Sequence, residues 1–312
     1  MVFRQSVQVI VYHHFHLSSK RSEMNDYLDF LEVSKAQNES LDVEQEQRKG
    51  SKKKKDDYAT SLSLLKTRLT LLPEFDSSDV TEELIVSCLH ARQRNVDAAL
   101  ELVCQAHIYN LTCLTAPLNE EHIFLALENC LPSVLDKKDQ WGRPIIVVYA
   151  NHWSPETLPF EIFHRAFTLT LDMLLMEKKN QESGVVVVTD WTDFTFKQCM
   201  KIPAAGLKTL VHHFHKAYPV KFHACHFVNQ PWYVSGILTV LRQFTTVEEA
   251  SKLYLHGNNL STLHDHIPKE CLPAELGGEC APHNPRVWAE TMKGFLADDS
   301  SQVNDESGSL WN

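Results

Sequence analysis

Two continuous apolar segments, separated by a helical one, constrain the fold of this chain more than any other feature. Residues 144–150 (PIIVVYA) and 184–190 (GVVVVTD) lack polar alternation, which is typical of strands buried on both faces of a parallel sheet. Between them, residues 159–179 have helical periodicity, with a proline near the first turn and lysines at the end. This order predicts a βαβ unit, and therefore an α/β domain with a mostly parallel sheet.

Further patterns complete the predicted domain organisation. Residues 220–228 and 252–257 are expected to form additional strands, so that an α/β domain spans residues 132–297. Four segments of helical periodicity predict a helical N-terminal domain over residues 58–131. The two ends differ from both domains: residues 1–57 contain an acidic and then a basic block, and residues 298–312 hold four acids and no Lys or Arg. Both ends are predicted to be disordered.

Composition and absent motifs exclude several classes of function. Forty acidic against thirty basic residues give a net charge of −10, which argues against a general nucleic-acid binder. No apolar run approaches the roughly 20 residues that cross a bilayer, and the first residues lack a secretory apolar region, so we expect a cytoplasmic protein. The eight cysteines form no Cys-x-x-Cys pair and are interpreted as reduced thiols. Phosphate-binding glycine motifs and a G-x-S-x-G elbow are also missing.

Histidine is the one residue type in excess, with seventeen copies. His212 and His215 share a side of a predicted helix, but no H-E-x-x-H motif accompanies them. His223 and His226 lie three apart in a predicted strand, which places them on opposite faces. We therefore predict no catalytic residue, no cofactor and no metal site.

Residues 232–244 are predicted to form a helix with a broad apolar stripe. Only Trp232 falls on its polar side. The pattern fits either an ordinary amphipathic helix on the sheet or a lid over a lipid-sized cavity, and the pattern alone leaves both open.

At four places in the right order, the sequence resembles the CRAL-TRIO lipid-binding family. Residues 139–147 match the D-x-x-G-R-P start of a strand, and residues 226–231 match the N-x-P sequence before the family's gate helix. Residues 256–259 and 272–278 match its H-G and L-P-x-E-x-G-G close. Residues 81–103 are similar to its N-terminal helical domain. The H-G-N-N sequence is nearest to the group of the alpha-tocopherol transfer protein, the retinaldehyde-binding protein and the clavesins.

The resemblance implies a non-enzymatic intracellular carrier. Such a protein holds a small hydrophobic lipid, tocopherol-like or retinoid-like, between its sheet and a mobile gate helix, and exchanges it at membranes. Plain core packing is the competing interpretation for each position that matches the family's pocket. The matching positions are Phe163, Phe167, Val187, Phe194, Ile202, Val234, Ile237, Leu238 and Leu241.

The resemblance also implies a basic cluster that binds phosphatidylinositol bisphosphate. Its positions fall on Lys221, His223, Arg242, Glu248 and Lys252. An acid replaces a lysine at Glu248, and a histidine is only partly charged at neutral pH, so we expect phosphoinositide binding to be weakened, altered in preference or lost. The expected partners are thus a lipid and an anionic membrane surface. The protein is expected to be a monomer that associates transiently with membranes, including endosomal ones.

Two alternatives from other classes remain open at this point. A membrane-recruited regulatory or scaffold module would hold lipid without transferring it, which would fit the acid at Glu248 and the charged N-terminal extension. A metal-dependent hydrolase that used the histidines would contain stoichiometric metal after purification.

Overall fold

The structure, a computed structural model, describes residues 58–72, 80–113, 120–234, 237–238 and 250–302. The chain divides into two compact units, 1–116 and 117–312. The disordered extension predicted for residues 1–57 lies outside the described residues.

The described part of the first unit consists of three helices: α1 (Tyr58–Thr70), α2 (Glu82–Ala91) and α3 (Val96–Cys113). Thr81 caps α2, because its Oγ1 accepts a hydrogen bond from the amide of Leu84 at 3.3 Å. Asn95 has the same role before α3 and accepts from the amide of Ala98 at 3.1 Å. Both α1 and α2 pack against α3 and bury leucine side chains between them.

The second unit contains the sheet. Its first helix, α4 (Glu120–Glu128), packs against two later helices of the same unit, α5 (Phe160–Leu175) and α10 (Pro285–Gln302). The sequence pattern had assigned residues 120–128 to the N-terminal domain. The elements in chain order are α4 (Glu120–Glu128), β1 (Ser133–Val134), β2 (Ile145–Tyr149), α5 (Phe160–Leu175), α6 (Lys178–Ser183), β3 (Val185–Asp190), α7 (Phe196–Cys199), α8 (Ala204–His212), β4 (Phe222–Val228), β5 (Leu253–Gly257), α9 (Leu260–His264) and α10 (Pro285–Gln302).

The five strands lie in the sheet in the order β1-β2-β3-β4-β5. β1 is antiparallel to β2, and the other neighbours are parallel, so the predicted mostly parallel sheet is confirmed. The sequence does not predict β1, since two residues are too few to produce a pattern. Because right-handed connections between consecutive parallel strands return on the same side, the crossover segments of this sheet are expected to share one face.

The two faces of the sheet bury different sets of side chains. We call the gate face the one that carries Val185, Val187 and Phe227; α5 and α8 pack on it through a large apolar cluster. We call the back face the one that carries Val186 and Val188. A smaller cluster covers it, formed with α9 and the segment 267–276. Successive residues of β3 thus alternate between two cores, as the continuous valine run predicted.

Two predicted segments differ from the structure. Of the helix predicted over residues 232–244, the structure describes a 3₁₀ turn at Trp232–Val234 and helical backbone at 237–238. The remaining residues lie outside the described part of the chain. The acidic tail was predicted to begin at residue 298, but α10 continues to Gln302, so the helical pattern outlasts the change in composition. Residues 303–312 are not described.

Candidate functional site

The gate face brings together the predicted pocket residues that the structure describes. Phe163, Ile202 and Ile237 are partly buried and pack against the gate-face cluster. Five others are buried members of it: Phe167, Val187, Phe194, Val234 and Leu238. Leu241 lies outside the described residues. These positions come from α5, β3, the loop after β3 and the segment after β4, so residues far apart in sequence line one apolar region.

Aromatic side chains make up much of this region. Phe163 and Phe167 are one helical turn apart on α5, and their ring centroids are 6.0 Å apart. Phe167 also contacts Phe214, with a centroid distance of 5.2 Å. Burial raises the pKa of the Cys225 thiol on β4 to about 12, so it behaves as a small hydrophobic group and not as a nucleophile.

Polar contacts fix the point where the chain leaves β4 toward the gate. Asn229 adopts a left-handed backbone conformation (φ 54°), and its amide donates to the carbonyl of Gly257 at 2.7 Å. Gly257 in turn donates from its amide to Oε1 of Gln230 at 3.1 Å. The side chain of Asn229 donates to the carboxylate of Asp190 at 3.0 Å. The N-x-P and H-G motifs therefore hold each other in place at the carboxyl edge of the sheet.

The chain returns to the sheet at the opposite edge. The amide of Cys225 donates to the carbonyl of Lys252 at 2.9 Å, immediately before β5 begins. We call residues 231–252 the gate segment. It connects the carboxyl end of β4 to the amino end of β5. Asn229 and Gln230 just before it, and Lys252 at its last position, are hydrogen-bonded to the sheet.

An exposed apolar surface lies beside the start of the gate segment. We call Phe196, Met200 and Trp232 the aromatic rim; their exposed fractions are 53%, 69% and 82%. The rings of Phe196 and Trp232 are stacked, with centroids 6.5 Å apart. Lys197 and Lys201 are exposed on the same segment as Phe196. Sequence reasoning did not identify this surface, although the position of Trp232 outside the apolar stripe was a signal for it.

The predicted basic cluster is partly described. Lys221 precedes β4, His223 lies within it and Lys252 precedes β5, so the three meet at the amino edge of the sheet. Partial burial lowers the pKa of His223, and the positive charges of Arg143, Lys221 and Lys252 lower it further. His223 is therefore mostly neutral at pH 7. Arg242 and Glu248 lie outside the described residues.

A bulge in β4 changes the environment of His223. Phe222 pairs with Val185 and Ala224 pairs with Val186, so His223 is an extra residue between them. The centroid of its ring lies 6.4 Å from that of Trp141, which is two residues after Asp139. The prediction that His223 and His226 lie on opposite faces assumes that side chains alternate without interruption. The bulge interrupts that alternation at His223.

The D-x-x-G-R motif has a structural role next to this cluster. The carboxylate of Asp139 accepts hydrogen bonds from Nε of Arg143 at 2.6 Å and from the amide of Arg143 at 2.8 Å. Gly142 completes the turn with a left-handed conformation (φ 74°). The buried pair fixes the chain at the start of β2, and Arg143 stacks on Trp141 at 4.3 Å.

Two buried histidine pairs lie on opposite faces of the sheet. His164 and His213 are joined through Nε2 and Nδ1 at 2.9 Å and contact Phe214 of the gate-face cluster. Burial lowers the pKa of His164 to about 4 and that of His213 to about 2. On the back face, Nδ1 of His226 lies 2.9 Å from Nε2 of His256, and burial lowers the pKa of His226 to about 3.

The second pair extends into a small polar network. Nδ1 of His256 lies 2.7 Å from Oγ1 of Thr262, and the rings of Tyr254 and His266 pack against His226. Within the described residues, no group of three or more His, Cys, Asp or Glu side chains has an arrangement suited to a metal ion. These histidines are neutral, hydrogen-bonded members of the two cores.

Comparison with known proteins agrees with this architecture. Residues 128–278 match the CRAL/TRIO domain. Clavesin-1 from Xenopus laevis is 31% identical over 239 residues, covering 75% of this chain and 72% of that protein. The chain belongs to the CRAL/TRIO family. Clavesin-2 from Homo sapiens is 32% identical over 242 residues, covering 76% of this chain and 74% of that protein.

A solved structure supports the CRAL/TRIO fold independently. The crystal structure of Sfh5 aligns with a TM-score of 0.51 and 14% sequence identity, covering 80% of this chain and 99% of that one. The predicted helical region followed by a CRAL/TRIO α/β domain is thereby confirmed as the fold class. The CRAL/TRIO family binds hydrophobic ligands and transfers them. Among the described helices, none is both long enough and apolar enough to cross a bilayer.

Proposed function

We propose that this protein is a non-enzymatic carrier that binds a small tocopherol-like or retinoid-like lipid against the gate face and exchanges it at phosphoinositide-containing membranes. The observation that supports the proposal most is the shared location of the pocket residues. Eight of the nine positions that match the family's pocket lie in or against one apolar cluster, next to the described part of the gate segment.

The binding energy can come from burial of apolar surface. At about 25 cal/mol per Å² of apolar area removed from water, a lipid-sized molecule gains enough to offset its loss of motional freedom. A ligand bound in this way leaves slowly unless a part of the protein moves. We assign that movement to the gate that the family resemblance implies.

The aromatic rim and the basic cluster support exchange at a membrane. Exposed aromatic rings flanked by lysines are favourable at a lipid–water interface, since the rings enter the headgroup region and the lysines meet anionic lipids. The rim lies after the carboxyl ends of β3 and β4, whereas Lys221 and Lys252 lie at the amino edge. The gate segment joins these two edges along the chain, and both surfaces are proposed to meet the membrane.

A transfer assay tests the proposal. Native mass spectrometry with solvent extraction first identifies the lipid that co-purifies with the full chain. Donor liposomes loaded with that lipid are then mixed with acceptor liposomes that contain or lack phosphatidylinositol bisphosphate. Faster transfer to the first type of acceptor is expected. A protein that contains no lipid and accelerates no transfer would contradict the proposal.

One observation favours a second candidate, a membrane-recruited scaffold that holds lipid without moving it. The lowered pKa of His223 leaves Lys221 and Lys252 as the cations among the described positions of the basic cluster. Bound lipid that is never transferred to either acceptor would support the scaffold.

A further inference from the structure

Three buried tryptophans of the gate-face cluster differ in the hydrogen bonding of their indole N–H groups. Trp153 donates from Nε1 to the carbonyl of Leu158 at 2.8 Å. Trp288 donates from Nε1 to Oγ1 of Thr170 at 3.2 Å. Trp191 is 7% exposed, and its buried Nε1 has no hydrogen-bond partner. Most buried N–H groups are paired, so this donor requires an explanation.

Trp191 is held in place by its backbone and its neighbours. It follows β3 directly, its amide donates to the carbonyl of Val228 at 3.0 Å, and its carbonyl accepts from the amide of Phe194 at 3.0 Å. Its ring contacts those of Phe194 and Phe227, with centroid distances of 4.9 and 6.1 Å. The unpaired donor therefore belongs to a fixed ring.

The ring also lies on the side of the sheet where a ligand would bind. Side chains alternate along a strand, so Trp191 continues the series of Val185 and Val187 on the gate face. It is a member of the same apolar cluster as the pocket positions Val187 and Phe194. In this apolar surrounding, the N–H lacks an acceptor that a bound molecule could provide.

We propose that the indole N–H of Trp191 donates a hydrogen bond to an oxygen of the bound lipid. The inference rests on the proposed function and defines its ligand class: an apolar molecule with a hydroxyl, carbonyl or ester oxygen, in preference to a plain hydrocarbon. The bond adds selectivity, because a hydrocarbon would leave the buried donor unpaired.

Two probes with the same carbon skeleton test this inference: dihydrophytol, an alcohol, and phytane, the corresponding hydrocarbon. Each is offered to the full chain from neutral phosphatidylcholine liposomes, and the bound amount is measured by extraction and mass spectrometry. The ratio of alcohol to hydrocarbon bound is expected to be about tenfold higher for the wild type than for Trp191→Phe, the size of one net hydrogen bond. Trp153→Phe and Trp288→Phe serve as controls and should keep the wild-type ratio, since their N–H groups already have partners.

A spectroscopic measurement on the wild type does not depend on how well the variant folds. In protein with ¹⁵N-labelled tryptophan, the indole signal of Trp191 is identified by its absence from Trp191→Phe or by conventional assignment. This signal should move downfield when dihydrophytol is added and should not move with phytane. Equal binding ratios in wild type and Trp191→Phe, or an unmoved indole signal, would overturn the inference alone and favour a weak contact between the N–H and the ring of Phe194. Retention of neither probe would overturn the proposed function as well.

Discussion

The two faces of the sheet are both buried, but they are built differently. The gate face is large and aromatic, it meets a segment joined to the sheet at its ends, and it carries the unpaired donor of Trp191. The back face is smaller and mainly aliphatic, and it is closed by the L-P-x-E-x-G-G segment, in which Gly278 touches Leu272. The back face is therefore a closely packed support, whereas the apolar, aromatic gate face carries the positions proposed to meet a ligand.

The largest expected effect concerns Gly278. A Cβ added there would lie 2.0 Å from the carbonyl oxygen of Leu272, so Gly278→Ala must displace backbone. The free energy of unfolding is expected to fall by about 3 kcal/mol or more, as measured by urea denaturation. Gly294→Ala is the control: no atom lies within 4 Å of the added Cβ on α10, and a gain of about 1 kcal/mol is expected. Equal effects of both substitutions would show that the back face is not tightly packed.

A pair of leucines separates stability from ligand retention. Leu263 is buried on the back face and Leu238 on the gate face. Leu263→Ala and Leu238→Ala should each lower the free energy of unfolding by about 2 to 5 kcal/mol. Only Leu238→Ala should also reduce the lipid retained per folded molecule, measured by extraction. If Leu263→Ala lost lipid to the same extent, the functional distinction between the faces would be wrong.

Acid should destabilise both faces through their histidine pairs. His164, His213 and His226 have pKa values lowered to about 4, 2 and 3, so the unfolded chain binds more protons than the folded one below pH 6.5. The free energy of unfolding should therefore fall as the pH decreases from 6.5, by up to about 1.4 kcal/mol per pH unit for each histidine. His226→Gln and His213→Gln should each reduce this slope in urea titrations at pH 7, 6 and 5. The exposed His152→Gln is the control, and an unchanged slope in both buried variants would contradict the assignment.

The smallest effect is expected from the surface. Lys221→Glu combined with Lys252→Glu should weaken binding to liposomes with phosphatidylinositol bisphosphate, at about 1 kcal/mol for each cation lost, while lipid retention stays unchanged. Sedimentation with the liposomes measures the binding. Lys269→Glu with Lys293→Glu makes the same change of charge at exposed positions elsewhere and should have little effect. A similar loss in both double variants would indicate attraction by net charge alone.

The sequence predicted the fold better than the site. Continuous valine runs and helical periodicity identify β2, β3 and α5, because burial on both faces removes polar residues from a strand. The bulge at His223 and the short β1 depend on pairing with distant residues, so no local pattern reveals them. The pocket positions came from the family resemblance. The resemblance did not reveal the hydrogen bonding or the protonation of individual side chains. The unpaired N–H of Trp191 and the lowered pKa of His223 arise from neighbours that only the folded chain brings together.

The hydrogen bonds of Asn229, Gln230 and Lys252 have a consequence for how such proteins can diversify. They complete the sheet on either side of the gate segment and involve mainly backbone groups, so the sequence between them contributes little to strand pairing. The segment still packs into the gate-face cluster through Val234 and Leu238. A replacement sequence that keeps these two buried apolar side chains can therefore be inserted between Gln230 and Lys252 without rebuilding the sheet.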